Sequence, residues 1–244
     1  MPSIEINGNI YSPELILFDV DGTLVDDSHR YSSLGKARYT TFKENVSGRA
    51  AKQWARLAGV NPEDWTIDST GPISKAPRRD DLAIAGAALY LEGFNWYDAR
   101  EKAETLYEIA DKIQAETFEP ALYVGVKEKL EELYEAGFKL GIATNGVTTI
   151  TEEMLAGLGI RDMFSVVIGA DKVEKSKPAP DMILLASKTV GTPIGYVVYV
   201  GDQPTDIRAA EAAETLAGVA VRNIIEDATE STSSVADFKI IKES

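Results

Sequence analysis

The sequence of 244 residues has no cysteine and a single histidine, His29. The first absence excludes disulfides, thiolate-bound zinc, iron–sulfur clusters and a cysteine nucleophile. The second excludes a multi-histidine metal site and leaves little room for a Ser-His-Asp triad. Positive charge is scarce: 25 Lys and Arg stand against 39 Asp and Glu, a formal charge of −14. That balance argues against nucleic acid as a partner, because phosphate backbones are held by Lys and Arg. Long hydrophobic runs are missing too. Nothing approaches the roughly eighteen apolar residues of a membrane span, so no membrane partner is expected. The opening Met1-Pro2-Ser3-Ile4-Glu5 lacks the basic and apolar regions of a signal peptide. A soluble, cytoplasmic protein is therefore expected. With 44% hydrophobic and 26% charged residues, the chain can bury an ordinary globular core.

The apolar pattern divides into three stretches. Glu14 to Asp19 is a short apolar run ending in carboxylate, which predicts a buried strand. Ile4 to Ile10, alternating around Asn7-Gly8, predicts a small hairpin. From Ser28 to Thr117 the pattern is helical, with long stretches at Leu34 to Leu57 and Asp98 to Thr117. In the second, Leu106, Ile109, Ala110 and Ile113 share a face, and Asp98 with Glu101 resembles a capping box. Residues 68–77 read as a loop between these helices. After Pro120, strands and helices alternate. Strands are predicted at Phe138 to Thr144, Val166 to Gly169, Tyr196 to Val200 and, as the last central one, Ala217 to Val221. Helices are predicted at Val126 to Glu135, Thr149 to Leu158, Pro180 to Val190 and Thr205 to Glu214. Glu226 to Ser234 reads as a polar surface tail, followed by an edge strand at Phe238 to Ile241. Alternation with apolar strands predicts an α/β fold: a Rossmann-like, three-layer parallel sheet. The helical block interrupts it right after the first strand, like an inserted domain.

In open α/β sheets, sites form at the carboxyl ends of the strands. Those ends carry Asp19-Val20-Asp21-Gly22-Thr23, then Thr144-Asn145-Gly146, then Gly201-Asp202 with Asp206 four residues on. Lys177-Pro178-Ala179-Pro180 precedes a helix between them. Singly, each has a plain structural reading. Asp19 and Asp21 suit a turn, Thr144 a helix cap, Lys177 a solvated surface, and Asp202 and Asp206 the capping of a helix. Their common setting, at strand ends or just before a helix between them, favours a shared site.

The four pieces resemble the motifs of the haloacid dehalogenase superfamily, in its phosphatase branch and nearest its phosphoglycolate phosphatase-like members. The resemblance implies that Asp19 attacks phosphorus and that Asp21 serves as general acid and then base. It implies Mg²⁺ held by Asp19, by the carbonyl of Asp21 and by Asp202, with Asp206 helping directly or through water. Such an oxygen-only set suits a hard cation. It further implies that Lys177 offsets the repulsion between two anions and that Thr144 donates to a phosphoryl oxygen. Asp21 points to phosphoryl transfer, because dehalogenases lack this second aspartate. The insert, residues 28–117, resembles the superfamily's type 1 helical cap on a core of residues 1–27 and 118–244. A closing cap favours a small-molecule phosphate ester as substrate.

Asn145 touches substrate or fixes its loop, and the sequence does not choose. Arg78 and Arg79 read as substrate-binding cations, or as a surface pair answering Asp80 and Asp81, which is the favoured reading. His29 reads as an ordinary surface residue, and Trp54, Trp65 and Trp96 as core of the insert. Two rival functions remain: a phosphosugar mutase of β-phosphoglucomutase type, and a non-catalytic binding protein on the same core. Monomer and homodimer both stay open.

Overall fold

The computed structural model of the chain describes residues 2–76, 78–117 and 119–241, and only the backbone of residues 27 and 28. In chain order the elements begin with β1 (Ser3–Ile6), β2 (Asn9–Tyr11) and β3 (Leu15–Phe18). Then come α1 (Asp27–Asn45), α2 (Gly48–Ala58), α3 (Pro72–Lys75), α4 (Arg78–Tyr90), α5 (Trp96–Thr117) and α6 (Val126–Glu135). The remainder is β4 (Lys139–Thr144), α7 (Thr148–Gly157), β5 (Phe164–Gly169), α8 (Asp181–Val190), β6 (Val197–Gly201), α9 (Pro204–Ala213), β7 (Ala217–Val221), β8 (Glu230–Thr232) and β9 (Lys239–Ile241). The chain forms two compact units, Met1–Asp26 with Pro120–Ser244 and Asp27–Glu119.

The first unit is built on a six-stranded sheet of order β5-β4-β3-β6-β7-β8. Every pairing in it is parallel. β3, β6 and β7 are buried along their whole lengths, as strands covered on both faces must be. Leu130, Leu133 and Leu155 of α6 and α7 pack on Ile16, Phe18, Leu140 and Ile142. On the other face, Met182, Ile183, Ala209 and Ala210 of α8 and α9 pack on Leu15, Leu17 and Tyr199. Phe18 pairs with Ile142 on one side and Val200 on the other. The residues just past β3, β4 and β6 therefore emerge along one edge of the sheet. There, the main chain leaves this unit after Asp26 and returns near Pro120; Asp26 N donates to Ala121 O at 2.8 Å.

The polar tail expected over Glu226 to Ser234 instead supplies the sixth strand, β8. Its Glu230 is buried and accepts hydrogen bonds from Asn9 Nδ2 and Tyr11 Oη, both at 2.6 Å. Backbone pairing and that carboxylate, not apolar side chains, hold the strand. Beside Glu230, burial and the carboxylate's charge push the Tyr11 phenol up to about 12. The hairpin at Asn7-Gly8 is present, and β1 also pairs antiparallel with β9.

The second unit is helical. Its core gathers Phe42, Trp54, Ala85, Leu89, Ala103 and Leu106. The stretch Leu34 to Leu57 is two helices, broken where Ser47 Oγ accepts from Ala50 N and starts α2. The loop expected over 68–77 contains α3, and Pro77 lies outside the described residues. The cap of α5 is Asn95, whose Oδ1 accepts from Asp98 N, rather than Asp98 itself. Its buried face is Ala99, Ala103, Leu106, Tyr107 and Ala110. Ile109 is exposed and Ile113 half-buried, so the expected face is rotated toward the alanines that let α1 and α4 approach. Trp54 is core, Trp65 is half-buried, and Trp96 is 45% exposed, contrary to expectation.

A polar knot lies inside this unit. Arg38 Nη1 donates to Asp81 Oδ2 at 2.6 Å, with both side chains buried. Tyr107 Oη donates to Asp81 Oδ1 at 2.9 Å and accepts from Trp54 Nε1 at 2.9 Å. The Arg38 guanidinium also lies 3.9 Å above the Tyr107 ring. Removing one partner of a buried ion pair strands the other charge. Asp81→Ala is therefore expected to destabilise the protein by about 3–5 kcal/mol, read by urea denaturation. A loss below about 1 kcal/mol would show that Arg38 finds other solvation.

Candidate active site

Asp19 follows β3 directly, and its N–H donates to Val200 O at 2.8 Å, continuing the sheet pairing by one residue. Its side chain is 9% exposed. A tight turn comes next, with Thr23 N, Leu24 N and Val25 N all donating to Val20 O. Gly22 sits in that turn at φ +78°, where a side chain is strained. A Cβ there would lie 2.5 Å from Asp202 Oδ2, so a glycine also lets the β3 and β6 ends approach.

Past β6, Asp202 is buried and its carbonyl accepts from Asn223 Nδ2 at 2.8 Å. Gln203 is the N-cap of α9, and Asp206 Oδ2 accepts from Gln203 N at 2.9 Å. Asp206 thus caps its own helix with one oxygen and turns the other inward. A Cβ on Gly201 would lie 2.4 Å from Asp206 Cβ, so only glycine leaves Asp206 that position. Asp19, Asp202 and Asp206 offer carboxylate oxygens within 4.8 Å of one another.

Lys177 enters from the loop before α8. Its Nζ donates to Asp19 Oδ1 at 2.7 Å, to Asp206 Oδ1 at 2.6 Å and to Tyr199 Oη at 3.0 Å. Burial alone would disfavour the ammonium, but Asp19 and Asp206 hold its pKa well above the ordinary lysine value. Burial pushes the Asp19 carboxyl up to about 7, against the opposing pull of Lys177. Ionised, three carboxylates against one ammonium leave two negative charges on largely buried side chains. A divalent hard cation is the natural counterpart of that excess and of its all-oxygen donors.

Thr144 ends β4, buried, and its Oγ1 accepts from Gly146 N at 3.2 Å. Asn145 Oδ1 accepts from Lys177 N at 3.1 Å, so this side chain ties the β4 loop to the lysine loop. The turn after it is held by Asp171, whose Oδ1 accepts from Thr148 N and Thr148 Oγ1, both at 2.7 Å. Those hydrogen bonds hold the Asp171 carboxyl below its usual range. Asp21 is half-buried, two residues beyond Asp19, and its backbone bridges to Val25.

Arg78 and Arg79 open α4, in the other unit. Arg78 pairs with Asp111 at 2.7 Å rather than with Asp80 or Asp81. Asp81 is turned inward to Arg38, and residues two apart on a helix do not face each other. Three contributors went unread in the sequence. Tyr199 looked like one more apolar strand residue, its hydroxyl the only hint. Asn223 stands just past β7, at another strand end, where the reading that found Asp202 would also have found it. Asp171 is separated from the loop it holds by a whole helix and strand and left no local signal.

The model of the haloacid dehalogenase-like hydrolase family matches residues 16–220. A phosphoglycolate phosphatase of Shigella boydii serotype 4 is 31% identical over 213 residues, covering 81% of this chain and 77% of that protein. Among solved structures, a predicted phosphoglycolate phosphatase from Haemophilus somnus superposes with a TM-score of 0.66 at 22% identity, over 93% of this chain and 96% of that one. CbbY from Rhodobacter sphaeroides, in complex with phosphate, superposes with a TM-score of 0.58 at 24% identity, over 92% and 96%.

The close approach at Gly22 makes a testable demand. Gly22→Ala should push Asp202 aside and weaken the binding of a divalent cation about ten- to a hundredfold, as loss of ligand support does elsewhere. Calorimetric titration reads this directly, and unchanged affinity would mean that Asp202 does not help bind the cation.

Proposed function

The chain belongs to the haloacid dehalogenase-like hydrolase family, and from that premise we propose that it is a Mg²⁺-dependent phosphatase that hydrolyses a small-molecule phosphate monoester through an aspartyl-phosphate on Asp19. The observation that carries the reading is Lys177 Nζ bridging Asp19 and Asp206, with Asp202 alongside. Such a centre can place an anionic nucleophile next to an anionic substrate, which bare carboxylates cannot. The phosphoglycolate phosphatase relative supports the phosphate ester as substrate class.

In this mechanism an Asp19 carboxylate oxygen attacks phosphorus as the bond to the ester oxygen breaks. Asp21 gives its proton to the departing oxygen, leaving an alcohol and an acyl phosphate on Asp19. Asp21, now a carboxylate, takes a proton from water as that water attacks phosphorus. The phosphorus–Asp19 bond breaks, and phosphate leaves with Asp19 restored. Lys177 stabilises charge on the transferring group, and Thr144 donates its hydroxyl hydrogen to a phosphoryl oxygen. Mg²⁺, held by Asp19, Asp202 and the carbonyl of Asp21 with Asp206 beside them, would supply further positive charge to the phosphoryl oxygens. Asn145 serves by fixing the Lys177 loop.

The test is phosphate release from a panel of small esters, with Mg²⁺ and with EDTA. Release is expected only with Mg²⁺. Asp19→Asn should abolish it, and Asp21→Asn should slow turnover roughly a hundredfold or more. An Asp19→Asn variant that kept most activity would remove Asp19 from the nucleophile's role. A requirement for a bisphosphate with little net phosphate release would show a mutase instead.

A further inference from the structure

Tyr199 lies on β6, fully buried, among the side chains that face α8 and α9. Its hydroxyl does something its strand neighbours cannot. It donates to Ala143 O at 2.7 Å, and Ala143 is on β4. β6 and β4 are not adjacent in the sheet, because β3 runs between them. The phenol therefore spans the central strand at its carboxyl end and ties the residue before Thr144 to the strand that leads into Asp202.

The same oxygen lies 3.0 Å from Lys177 Nζ. A phenol has one proton. The short contact to Ala143 O takes it, in preference to Asp206 Oδ1 at 3.3 Å. A lone pair is thus left facing the ammonium. An ammonium has three donors, and those of Lys177 go to Asp19, Asp206 and Tyr199. Two contacts leave a flexible four-carbon side chain free to swing about the line joining them. A third fixes it. Of the three acceptors, Tyr199 is neutral, rigid and untouched by the chemistry.

We propose that Tyr199 is a positioning residue, which holds the Lys177 ammonium against the phosphoryl group by a hydroxyl anchored across the sheet on Ala143 O. The proposal rests on the phosphatase reading above. When Asp19 becomes an acyl phosphate it loses a negative charge and part of its hold on Lys177. Tyr199 and Asp206 keep the ammonium in place through that stage. A neutral acceptor does this without cancelling the charge that Lys177 brings to the reaction.

Tyr199→Phe removes one buried atom and keeps the ring packing. With an aryl phosphate and Mg²⁺, it should lower kcat about tenfold while KM stays within about twofold, the mark of a contact that matters most in the transition state. A second readout needs neither metal nor turnover. Urea midpoints are measured in EDTA for the unaltered protein, Tyr199→Phe, Lys177→Met and the double variant. The midpoint shift from losing the hydroxyl should fall to less than about half when Lys177 is already gone. Unaltered kcat in Tyr199→Phe would overturn the proposal, as would equal midpoint shifts in both backgrounds, which would make the tyrosine a packing residue only. An unaltered protein that released no phosphate from any ester would overturn the phosphatase reading, and this proposal with it. An active protein with an indifferent Tyr199 would overturn this proposal alone.

Discussion

Three buried carboxylates converge on one another, and one ammonium bridges two of them; much of the first unit is arranged to make that tolerable. Like charges repel strongly when desolvated, so each group must be held by the backbone. Asp19 is fixed by a hydrogen bond that extends the sheet one residue past β3. Asp206 is fixed by capping α9 with its outer oxygen. Gly22 and Gly201 leave no Cβ where Asp202 and Asp206 must lie. The parallel sheet brings the parts together because the ends of β3, β4 and β6 stand in register. The fold thus supplies the position, and the buried excess of negative charge supplies the reason for a divalent cation.

The strand ends were readable because chemistry and local pattern coincide there. An apolar run closing in Asp19-Val20-Asp21-Gly22 announces both a strand and a site, and Gly201-Asp202 does the same. Lys177 was read from the resemblance together with the Pro-Ala-Pro that follows it and its place before a helix, since a lysine in a loop by itself is ordinarily solvated. Tyr199 was not readable, because its partners Ala143 and Lys177 are 56 and 22 residues away in sequence. Periodicity registers which face a residue is on, not what its terminal atom meets. The same limit applies to β8. A polar strand held by Glu230, Asn9 and Tyr11 has no apolar alternation to betray it.

Within the second unit, small residues decide more than large ones. The buried face of α5 is mostly alanine, which permits close helix approach but carries little hydrophobic signal. Reading the larger Ile109 and Ile113 as the inner face placed the stripe to one side of its true position. The polar knot of Arg38, Asp81, Tyr107 and Trp54 was likewise hidden. Asp81 belongs to an Arg-Arg-Asp-Asp run that looks like a solvated surface, yet it faces inward, and Arg78 is left to pair with Asp111. Both arginines lie near the Tyr107 ring, at 3.9 and 4.9 Å, so one aromatic side chain organises cations from two helices.

The hydrogen bond from Asp26 N to Ala121 O has a meaning beyond local geometry. The main chain departs from the first unit and rejoins it at neighbouring atoms, so residues 27–119 form a loop whose mouth is already closed. Loop-closure entropy grows only with the logarithm of length. An excursion of almost any size could start and finish there without altering the sheet that carries Asp19, Asp202 and Asp206. Variation in that segment is thereby uncoupled from the fold of the chemical centre. The segment is free to change its length and composition over evolutionary time while the carboxylates stay where β3 and β6 put them.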